Sequence, residues 1–179
     1  YGYSSSLAST AIIFGNCEFR RNRCLNGKGG ALAASINQNL TIFDCIFEDN
    51  TAKQGSAIYF YGQIIKGQDN DPDIPESEIE CISIIDCQFI GNNGEGNVSG
   101  ILVEEGIIKV NSINIVSCNF TNNGNTNTQI LIKATCESFV FDNNDVGYKE
   151  TDVTCGALQL TIRKSLNLQQ TTFTNCKFS

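Results

Sequence analysis

Two aspartates are the clearest catalytic candidates in this sequence. Asp44 and Asp86 each stand immediately before a cysteine, in the closely similar phrases LTIFDC and ISIIDC. If these phrases lie on neighbouring parallel strands, the two backbones come about 5 Å apart, close to the carboxylate separation of a retaining glycosidase. The same position in other copies of the phrase holds asparagine or serine, which are typical of bends. We therefore expect corner residues rather than a catalytic pair.

An acidic segment contains the candidate metal ligands. Asp69, Asp71 and Asp73 are followed by Glu80, which stands twelfth when Asp69 is counted first, so the spacing partly matches a calcium-binding loop. Ile74 stands where such a loop needs glycine for its sharp turn. We expect a solvated acidic loop, and calcium binding by these carboxylates is the alternative. The sequence otherwise predicts no metal and no cofactor, because it has no histidine and no Cys-x-x-Cys pair.

Composition excludes several classes of function. Without histidine the chain cannot form a Ser-His-Asp triad or a Cys-His nucleophile pair. The 12 lysines and arginines against 19 aspartates and glutamates give a net charge of −7, which argues against a nucleic-acid partner. No apolar run approaches the roughly 18 to 20 residues of a membrane-spanning helix, so we do not expect membrane insertion. The chain starts without methionine, and we expect it to be a fragment of a longer polypeptide.

A phrase of eight residues recurs six times and must position these side chains. It has apolar residues at its first and third positions, cysteine at the sixth and phenylalanine at the eighth, and the fifth copy has Phe139 at the cysteine position. Stacked copies predict two inward columns, with the cysteines present as buried thiols or as disulfides. The phenylalanines are Phe19, Phe47, Phe89, Phe120, Phe141 and Phe178. The cysteines are Cys17, Cys45, Cys87, Cys118 and Cys176.

Asparagine follows the phenylalanine by three residues in five copies. Because asparagine tolerates the left-handed region of backbone space, this column predicts a sharp bend between strands. The five residues are Asn22, Asn50, Asn92, Asn123 and Asn144. Small residues then start the next strand, most clearly in GGAL and GSAI. One unit of the repeat is thus three short strands separated by bends.

The coarse pattern is that of an all-β fold. Apolar residues two apart recur throughout, and no segment sustains helical spacing. A constant phrase with variable spacing between its copies favours a solenoid of about six coils, forming one domain over residues 1–179. Residues 63–78 contain both prolines and predict a surface loop insertion. By parity, either Tyr59 and Tyr61 or Phe60 faces outward just before this insertion.

The GGAL and Phe-x-x-Asn elements resemble the repeats of right-handed parallel β-helix proteins, particularly those of the polymorphic membrane protein type, and the wider pectin-lyase-like fold. The resemblance covers residues 11–179 and implies a right-handed parallel β-helix solenoid. The family includes surface adhesins and structural proteins as well as polysaccharide lyases and hydrolases, so the fold does not choose the function. The Gly-His-Gly element of polygalacturonases and the Arg-x-Pro-x-x-Arg element of pectate lyases are both absent from the sequence.

These features predict a non-catalytic structural or adhesive segment of an extracellular or cell-surface protein. Sequons at Asn39, Asn97 and Asn119 and the nine cysteines favour the secreted pathway. One alternative is a carbohydrate-active enzyme or carbohydrate-binding module, and another is a passive assembly element packed against other subunits. The expected partners are glycans, together with the remainder of a longer chain or neighbouring subunits at the open ends of the solenoid.

Overall fold

Parallel strands dominate the computed structural model, which describes residues 11–36, 39–62, 79–94, 98–104, 109–123, 128–142, 144–147, 158–164 and 170–178. Within these ranges the chain is all-β, without a helix, and every strand pair is parallel. The strands form three hydrogen-bonded sheets of ten, six and three strands.

Short strands alternate with bends along the described chain, and β15, with 15 residues, is the exception. The first twelve strands are β1 (Ala11–Gly15), β2 (Glu18–Arg20), β3 (Arg23–Lys28), β4 (Leu32–Ile36), β5 (Asn39–Phe43), β6 (Ile46–Glu48), β7 (Thr51–Gln54), β8 (Ile58–Gly62), β9 (Ile79–Ile85), β10 (Gln88–Ile90), β11 (Asn93–Gly94) and β12 (Val98–Glu104). The next seven are β13 (Lys109–Val116), β14 (Asn119–Thr121), β15 (Thr128–Asp142), β16 (Asp145–Gly147), β17 (Leu158–Lys164), β18 (Gln170–Thr174) and β19 (Lys177–Phe178).

The largest sheet consists of two limbs that share β15. The first limb has the order β1-β5-β9-β13-β15-β18, and the second limb has the order β4-β8-β12-β15-β17. The early part of β15 pairs with β12 and β17, whereas its late part pairs with β13 and β18. The six-stranded sheet has the order β2-β6-β10-β14-β16-β19, and the three-stranded sheet has the order β3-β7-β11.

The chain visits these layers in a repeating order, which we call a pass. Strands β1 to β4, β5 to β8 and β9 to β12 each run through the first limb, the six-stranded sheet, the three-stranded sheet and the second limb. The fourth pass contains β13, β14 and the early part of β15, the fifth contains the late part of β15, β16 and β17, and β18 and β19 begin a sixth. The first three passes have four strands rather than the predicted three, because left-handed glycines Gly29 and Gly55 separate the last two strands of the first and second passes.

Four phenylalanines stack in register along the six-stranded sheet. Phe19, Phe47, Phe89 and Phe120 are successive register partners. Their ring centroids are 4.8, 4.9 and 4.5 Å apart, and neighbouring ring planes lie within 4° of parallel. The last three of these rings are completely buried. The structure therefore places the first four phenylalanines of the repeated phrase in one column.

The predicted position of Phe141 in this column is wrong. Its register partners are Ile115 and Phe173 on the first limb, where it is completely buried. Val146 instead takes the register position beside Phe120, and Phe178 pairs with Val146. The reason is that β15 continues without a bend as far as residue 142, so the corner of the fifth pass comes later than the local phrase indicates.

A single core cluster joins both limbs and the six-stranded sheet. Alternation along each strand supplies its members, as in β5, where Leu40 and Ile42 are completely buried and their neighbours are partly exposed. Ile58 from the second limb and Phe47 from the six-stranded sheet belong to the same cluster. Burying each such side chain contributes about 1.5 to 3 kcal/mol relative to leaving it exposed, so the core is the main source of stability.

Candidate functional site

The two candidate catalytic aspartates lie at the corner between the first limb and the six-stranded sheet. Asp44 follows β5 and Asp86 follows β9, and their left-handed backbones have φ of 50° and 52°. Both side chains are exposed, and no other described side chain makes a hydrogen bond or ion pair with either carboxylate. The described surroundings therefore do not orient one aspartate as a proton donor and the other as a nucleophile.

The corner itself explains these residue types. Its φ values fall between 50° and 55° in five passes, although the residues differ. Asparagine and aspartate are enriched in this left-handed region because their short polar side chains can hydrogen-bond locally. The column consists of Asn16, Asp44, Asp86, Ser117 and Asn175. Bend geometry alone accounts for both aspartates.

The cysteine after this corner donates its thiol proton to backbone carbonyls. Cys45 Sγ lies 3.2 Å from Phe43 O in its own pass and 3.7 Å from Phe14 O in the preceding pass. The same two kinds of contact are made by Cys87, Cys118 and Cys176. Each thiol thus contacts carbonyls of two passes at the corner.

All seven cysteines whose side chains the structure describes are free thiols, including the five of the predicted column. The disulfide alternative is therefore wrong for these residues. Burial raises the pKa of the Cys45 thiol. The neighbouring Cys87 thiol raises the pKa of Cys118, and burial raises it further, whereas the pairing with Cys118 lowers the pKa of Cys87. The raised pKa values favour the neutral thiol at Cys45 and Cys118, and a neutral thiol is a poor nucleophile and a poor metal ligand.

Asn144 occupies the cysteine position of the fifth pass, so its predicted place in the turn column is wrong. Its Nδ2 donates to Ile115 O at 2.8 Å, as the thiols donate to the preceding pass. Its Oδ1 accepts a hydrogen bond from Cys118 N at 2.8 Å, and in the first pass Cys17 N similarly lies 3.4 Å from Cys45 Sγ. An amide therefore replaces a thiol with the same donor and acceptor roles.

The remaining predicted asparagines form a ladder of side-chain amides. Asn50 Nδ2 donates to Phe19 O in the preceding pass and to Asn92 Oδ1 in the next, both at 2.9 Å. Gln129 ends the ladder by accepting from Asn123 Nδ2 at 2.8 Å. The ladder residues after the first are completely buried. In order, the amides belong to Asn22, Asn50, Asn92, Asn123 and Gln129.

The ladder residues are not the left-handed residues of their bend. That conformation belongs to the residue immediately before each asparagine, with φ between 54° and 62°. These residues are Arg21, Asp49, Gly91 and Asn122. The predicted bend is thus present one residue earlier, because the asparagine side chain must point inward to reach its neighbours.

A tyrosine patch on the outer face of the second limb is the best candidate binding surface. It consists of Lys28, Tyr59, Tyr61 and Glu104. Phe60 between the tyrosines is 1% exposed, so Phe60 faces the core and the two tyrosines face outward. The two tyrosine rings stack with centroids 5.2 Å apart and an interplanar angle of 20°. Tyr61 is 37% exposed, so part of its ring meets solvent.

Charged groups fix the tyrosine patch. Lys28 Nζ contacts Glu104 Oε1 and Oε2 at 2.6 and 2.5 Å and lies 5.1 Å from the centroid of the Tyr59 ring. Tyr59 Oη donates to Glu104 Oε2 at 2.6 Å. Burial raises the pKa of Tyr59, and Glu104 raises it further. The sequence alone did not indicate Lys28 or Glu104, because Glu104 reaches the tyrosines through the pairing of β12 with β8 and Lys28 reaches them from β3 in another sheet.

The other predicted site residues are scattered. Asn119 is exposed on β14 and accepts a hydrogen bond from Thr121 Oγ1 at 2.6 Å. Asn39 is partly buried, and its Oδ1 accepts from Cys81 N at 3.1 Å. Glu80 lies in β9. The sequon residue Asn97, the calcium candidates Asp69, Asp71 and Asp73, and the insertion at residues 63–78 lie outside the described residues.

Comparisons with protein-family models, with curated proteins and with solved structures find no match to this chain. In the described parts of the chain, no three side chains of cysteine, aspartate or glutamate come together as a set of metal ligands. The same parts contain no helix that is long and apolar enough to cross a membrane.

Proposed function

We propose that the passes are coils of a right-handed parallel β-helix, about six in number, of the pectin-lyase-like kind. Support comes from the repeated order of the layers and from parallel pairing at every step. Connections between parallel strands are right-handed in nearly all known cases, which supports the hand. The stacked phenylalanines and the amide ladder are the side-chain columns that such a stack requires.

This β-helix serves as a non-catalytic structural or adhesive segment of an extracellular or cell-surface protein. The observation that carries the proposal is that the repeated asparagine and cysteine side chains form their hydrogen bonds with other groups inside the stack. Asn92 has four side-chain hydrogen bonds to other passes, and Cys118 bonds carbonyls in two passes. Groups used in this way hold the coils in register and are not free for substrate.

The extracellular setting rests on the sequons, because the described cysteines are free thiols and lend no support. Asn119 is exposed on the six-stranded sheet, and a glycan attached there would point into solvent. Expression through a secretory pathway, followed by a mobility shift with a glycosidase, tests this point. The N119Q variant should remove part of the shift, and the absence of any shift in the wild-type protein would contradict the setting.

Glycan binding is the second candidate function, and the tyrosine patch favours it. The partly exposed Tyr61 ring offers an apolar face, and Glu104 and Lys28 hold the neighbouring Tyr59 ring in place. This arrangement suits a sugar ring that stacks on tyrosine. It would give the segment an adhesive role without turnover.

One set of assays separates structural, adhesive and catalytic functions. Wild-type protein, D44N, D86N, Y61A and the control L25A are tested on acidic and neutral polysaccharides, with product release and retention on immobilised polymer both measured. Leu25 is 53% exposed and controls for loss of exposed apolar area. We expect no product from any of the proteins. If the wild-type protein is retained on the polymer and only Y61A reduces that retention, the tyrosine patch is the binding site. Turnover abolished by D44N or D86N would overturn the proposal.

A further inference from the structure

Three basic side chains lie close together where the six-stranded sheet meets the three-stranded sheet. Arg23 belongs to β3 and Lys53 to β7, and Arg21 occupies the left-handed bend before β3. Arg23 pairs in register with Thr51, which lies two residues before Lys53 on the same face. This register places the Cα atoms of Arg23 and Lys53 about 8 Å apart. We call Arg21, Arg23 and Lys53 the cationic patch.

The side chains of the cationic patch are free to meet a ligand. All three are exposed, and none forms a hydrogen bond or an ion pair with another described residue. The basic residues that flank the patch along the chain are paired instead. Arg20 contacts Glu18 and Glu48, and Lys28 contacts Glu104. The unpaired positive charge of this region is therefore concentrated in the cationic patch.

The acidic net charge of the chain does not cancel the cationic patch. Asp44 stands at the other end of β6, and this strand of three residues is about 10 Å long. Exposed charges farther apart than about 8 Å are largely screened at physiological ionic strength. Asp49 is nearer, because it follows Arg21 in the same column of bends and is exposed. With Asp49, Arg20 and the two glutamates of Arg20 included, the cations still outnumber the carboxylates here.

Polar side chains beside Arg23 suit a sugar polymer. Thr51 and Asn93 follow Arg23 in one register column across β3, β7 and β11. Asn93 is exposed and Thr51 is partly exposed, so their amide and hydroxyl groups can bond sugar hydroxyls. The guanidinium of Arg23 can hold an anionic group with two parallel hydrogen bonds. A lipid surface is less well served, because Leu25, the exposed apolar side chain of β3, offers little area to bury in it.

We propose that the cationic patch binds sulfated polysaccharides. A sulfate ester presents three oxygens that accept charge-assisted hydrogen bonds, so Arg23 can fork onto one sulfate while Arg21 and Lys53 attract sulfates on neighbouring rings. Three cations so close together favour a polymer with more than one charge on each sugar ring over a polymer with a single carboxylate on each ring. The inference names the glycan class for the adhesive function proposed above and rests on that function.

Surface plasmon resonance on immobilised dextran sulfate tests the proposal, and unsulfated dextran is the matched polymer. Wild-type protein should bind dextran sulfate, bind polygalacturonate more weakly and not bind dextran. R23Q and K53Q should each weaken binding to dextran sulfate about two- to fivefold, and D49N, which removes the nearby carboxylate, should strengthen it by a similar factor. The control L25A removes apolar area from β3 but no charge, and it should leave binding unchanged.

The triple variant R21N/R23Q/K53Q removes the whole charge of the cationic patch. Asparagine suits the bend at residue 21, because Asn122 occupies the same bend of the fourth pass with φ of 54°. Binding to dextran sulfate should fall about ten- to hundredfold if the three contributions add. Its dependence on salt concentration should also become shallower, because fewer counterions are released. Circular dichroism and melting curves of the same samples establish that the variants are folded.

Three results would overturn the proposal. They are wild-type protein that does not bind dextran sulfate, binding that the folded triple variant retains, and equally tight binding to polygalacturonate. Binding to phosphatidylserine vesicles that L25A weakens, without binding to dextran sulfate, would assign the patch to a lipid surface instead. Y61A should bind dextran sulfate as the wild-type protein does, so failure of the cationic patch leaves retention through the tyrosine patch untouched. Turnover in the polysaccharide assays removes the non-catalytic function alone.

Discussion

Replacement of Asn92 by alanine measures how strongly the amide ladder holds the passes together. Asn92 is completely buried. Its Oδ1 accepts from N and Nδ2 of Asn50 at 3.1 and 2.9 Å, and its Nδ2 donates to Phe47 O and Asn123 Oδ1 at 2.9 and 2.8 Å. Alanine removes these four bonds and keeps the backbone bond from residue 92 to Asn123 Oδ1 at 3.0 Å.

The expected loss follows from the donors that remain. The backbone N–H of Asn50 loses the Asn92 acceptor, and one side-chain N–H of Asn50 loses it as well. A buried donor without a partner costs about 1 to 3 kcal/mol, so the free energy of unfolding should fall by about 2 to 6 kcal/mol. That is a large part of the roughly 5 to 15 kcal/mol by which a domain is stable.

Chemical denaturation followed by circular dichroism gives this quantity, and Asn22→Ala is the matched control. Asn22 is exposed and begins the ladder, so its truncation orphans fewer buried groups. We expect a clearly smaller loss for the control. Equal losses for the two variants would refute the reasoning, because they would show that buried amide bonds contribute no more than an exposed one.

Asn92→Asp keeps the side-chain shape and replaces the amide donor by a carboxyl oxygen that faces Phe47 O and Asn123 Oδ1. Burial and these two acceptors disfavour the charged form, so the folded-state pKa of the new carboxyl should lie above its unfolded value of about 3.9. The folded state then binds more protons than the unfolded state between the two pKa values. Stability relative to the wild-type protein should therefore rise as pH falls from about 7.5 to 5. If the stability difference between the variant and the wild-type protein does not shrink at low pH, the assignment of Asn92 Nδ2 as the donor to Phe47 O and Asn123 Oδ1 is wrong.

Five further variants probe the other columns and the tyrosine patch. Phe89→Ala should lower the free energy of unfolding by about 3 to 5 kcal/mol through lost burial and a cavity, while Gln88→Ala on the outer face should change it by less than about 0.5 kcal/mol. Asn144→Cys should keep more stability than Asn144→Ala, because a thiol at that position can donate to the same carbonyl, and denaturation curves compare the two. Glu104→Gln should lower the pKa of Tyr59 in a spectrophotometric titration, since the carboxylate favours the neutral phenol. Because the folded state favours that neutral form, the contribution of Tyr59 to stability should fade as pH rises through its raised pKa.

Repetition made the first four passes predictable. The phrase keeps the same spacing between cysteine and phenylalanine in each of them, so parity alone places Cys45, Phe47, Cys87 and Phe89 on the inward side. The corner before each cysteine was predictable as well, because asparagine, aspartate and serine there share a preference for bends. Neither inference needed knowledge of the distance between copies of the phrase.

The fifth pass could not be predicted because two alternating frames overlap there. Phe139 and Phe141 have the spacing of the last cysteine and phenylalanine of the phrase, yet they equally fit the apolar alternation of a continuing strand. The long pairing of β15 with β13 on one side and β18 on the other favours continuation. Strand pairing between distant segments therefore decided a position for which the local sequence allowed two answers.

Side-chain contacts between different passes could not be predicted from the local sequence pattern either. Glu104 meets Lys28 and Tyr59 only because β12 lies beside β8, and three different passes supply the three side chains. Such pairs depend on the register between strands, which a single sequence does not contain.

The exchange of cysteine for asparagine at residue 144 indicates what the cysteine column is for. A reactive thiol cannot be replaced by an amide, whereas a hydrogen-bond donor to an inward carbonyl can. Asn144 Nδ2 reaches Ile115 O as Cys118 Sγ reaches Ile84 O, so the two residue types meet one structural need at successive corners. The carbonyl before the corner is already a backbone acceptor, since Phe43 O also accepts from Asn16 N at 3.1 Å, so the side chain supplies a further donor at the corner. Cysteine, the most reactive residue type in this chain, thus recurs because its thiol is a hydrogen-bond donor. Any search for activity should therefore begin on the outer faces.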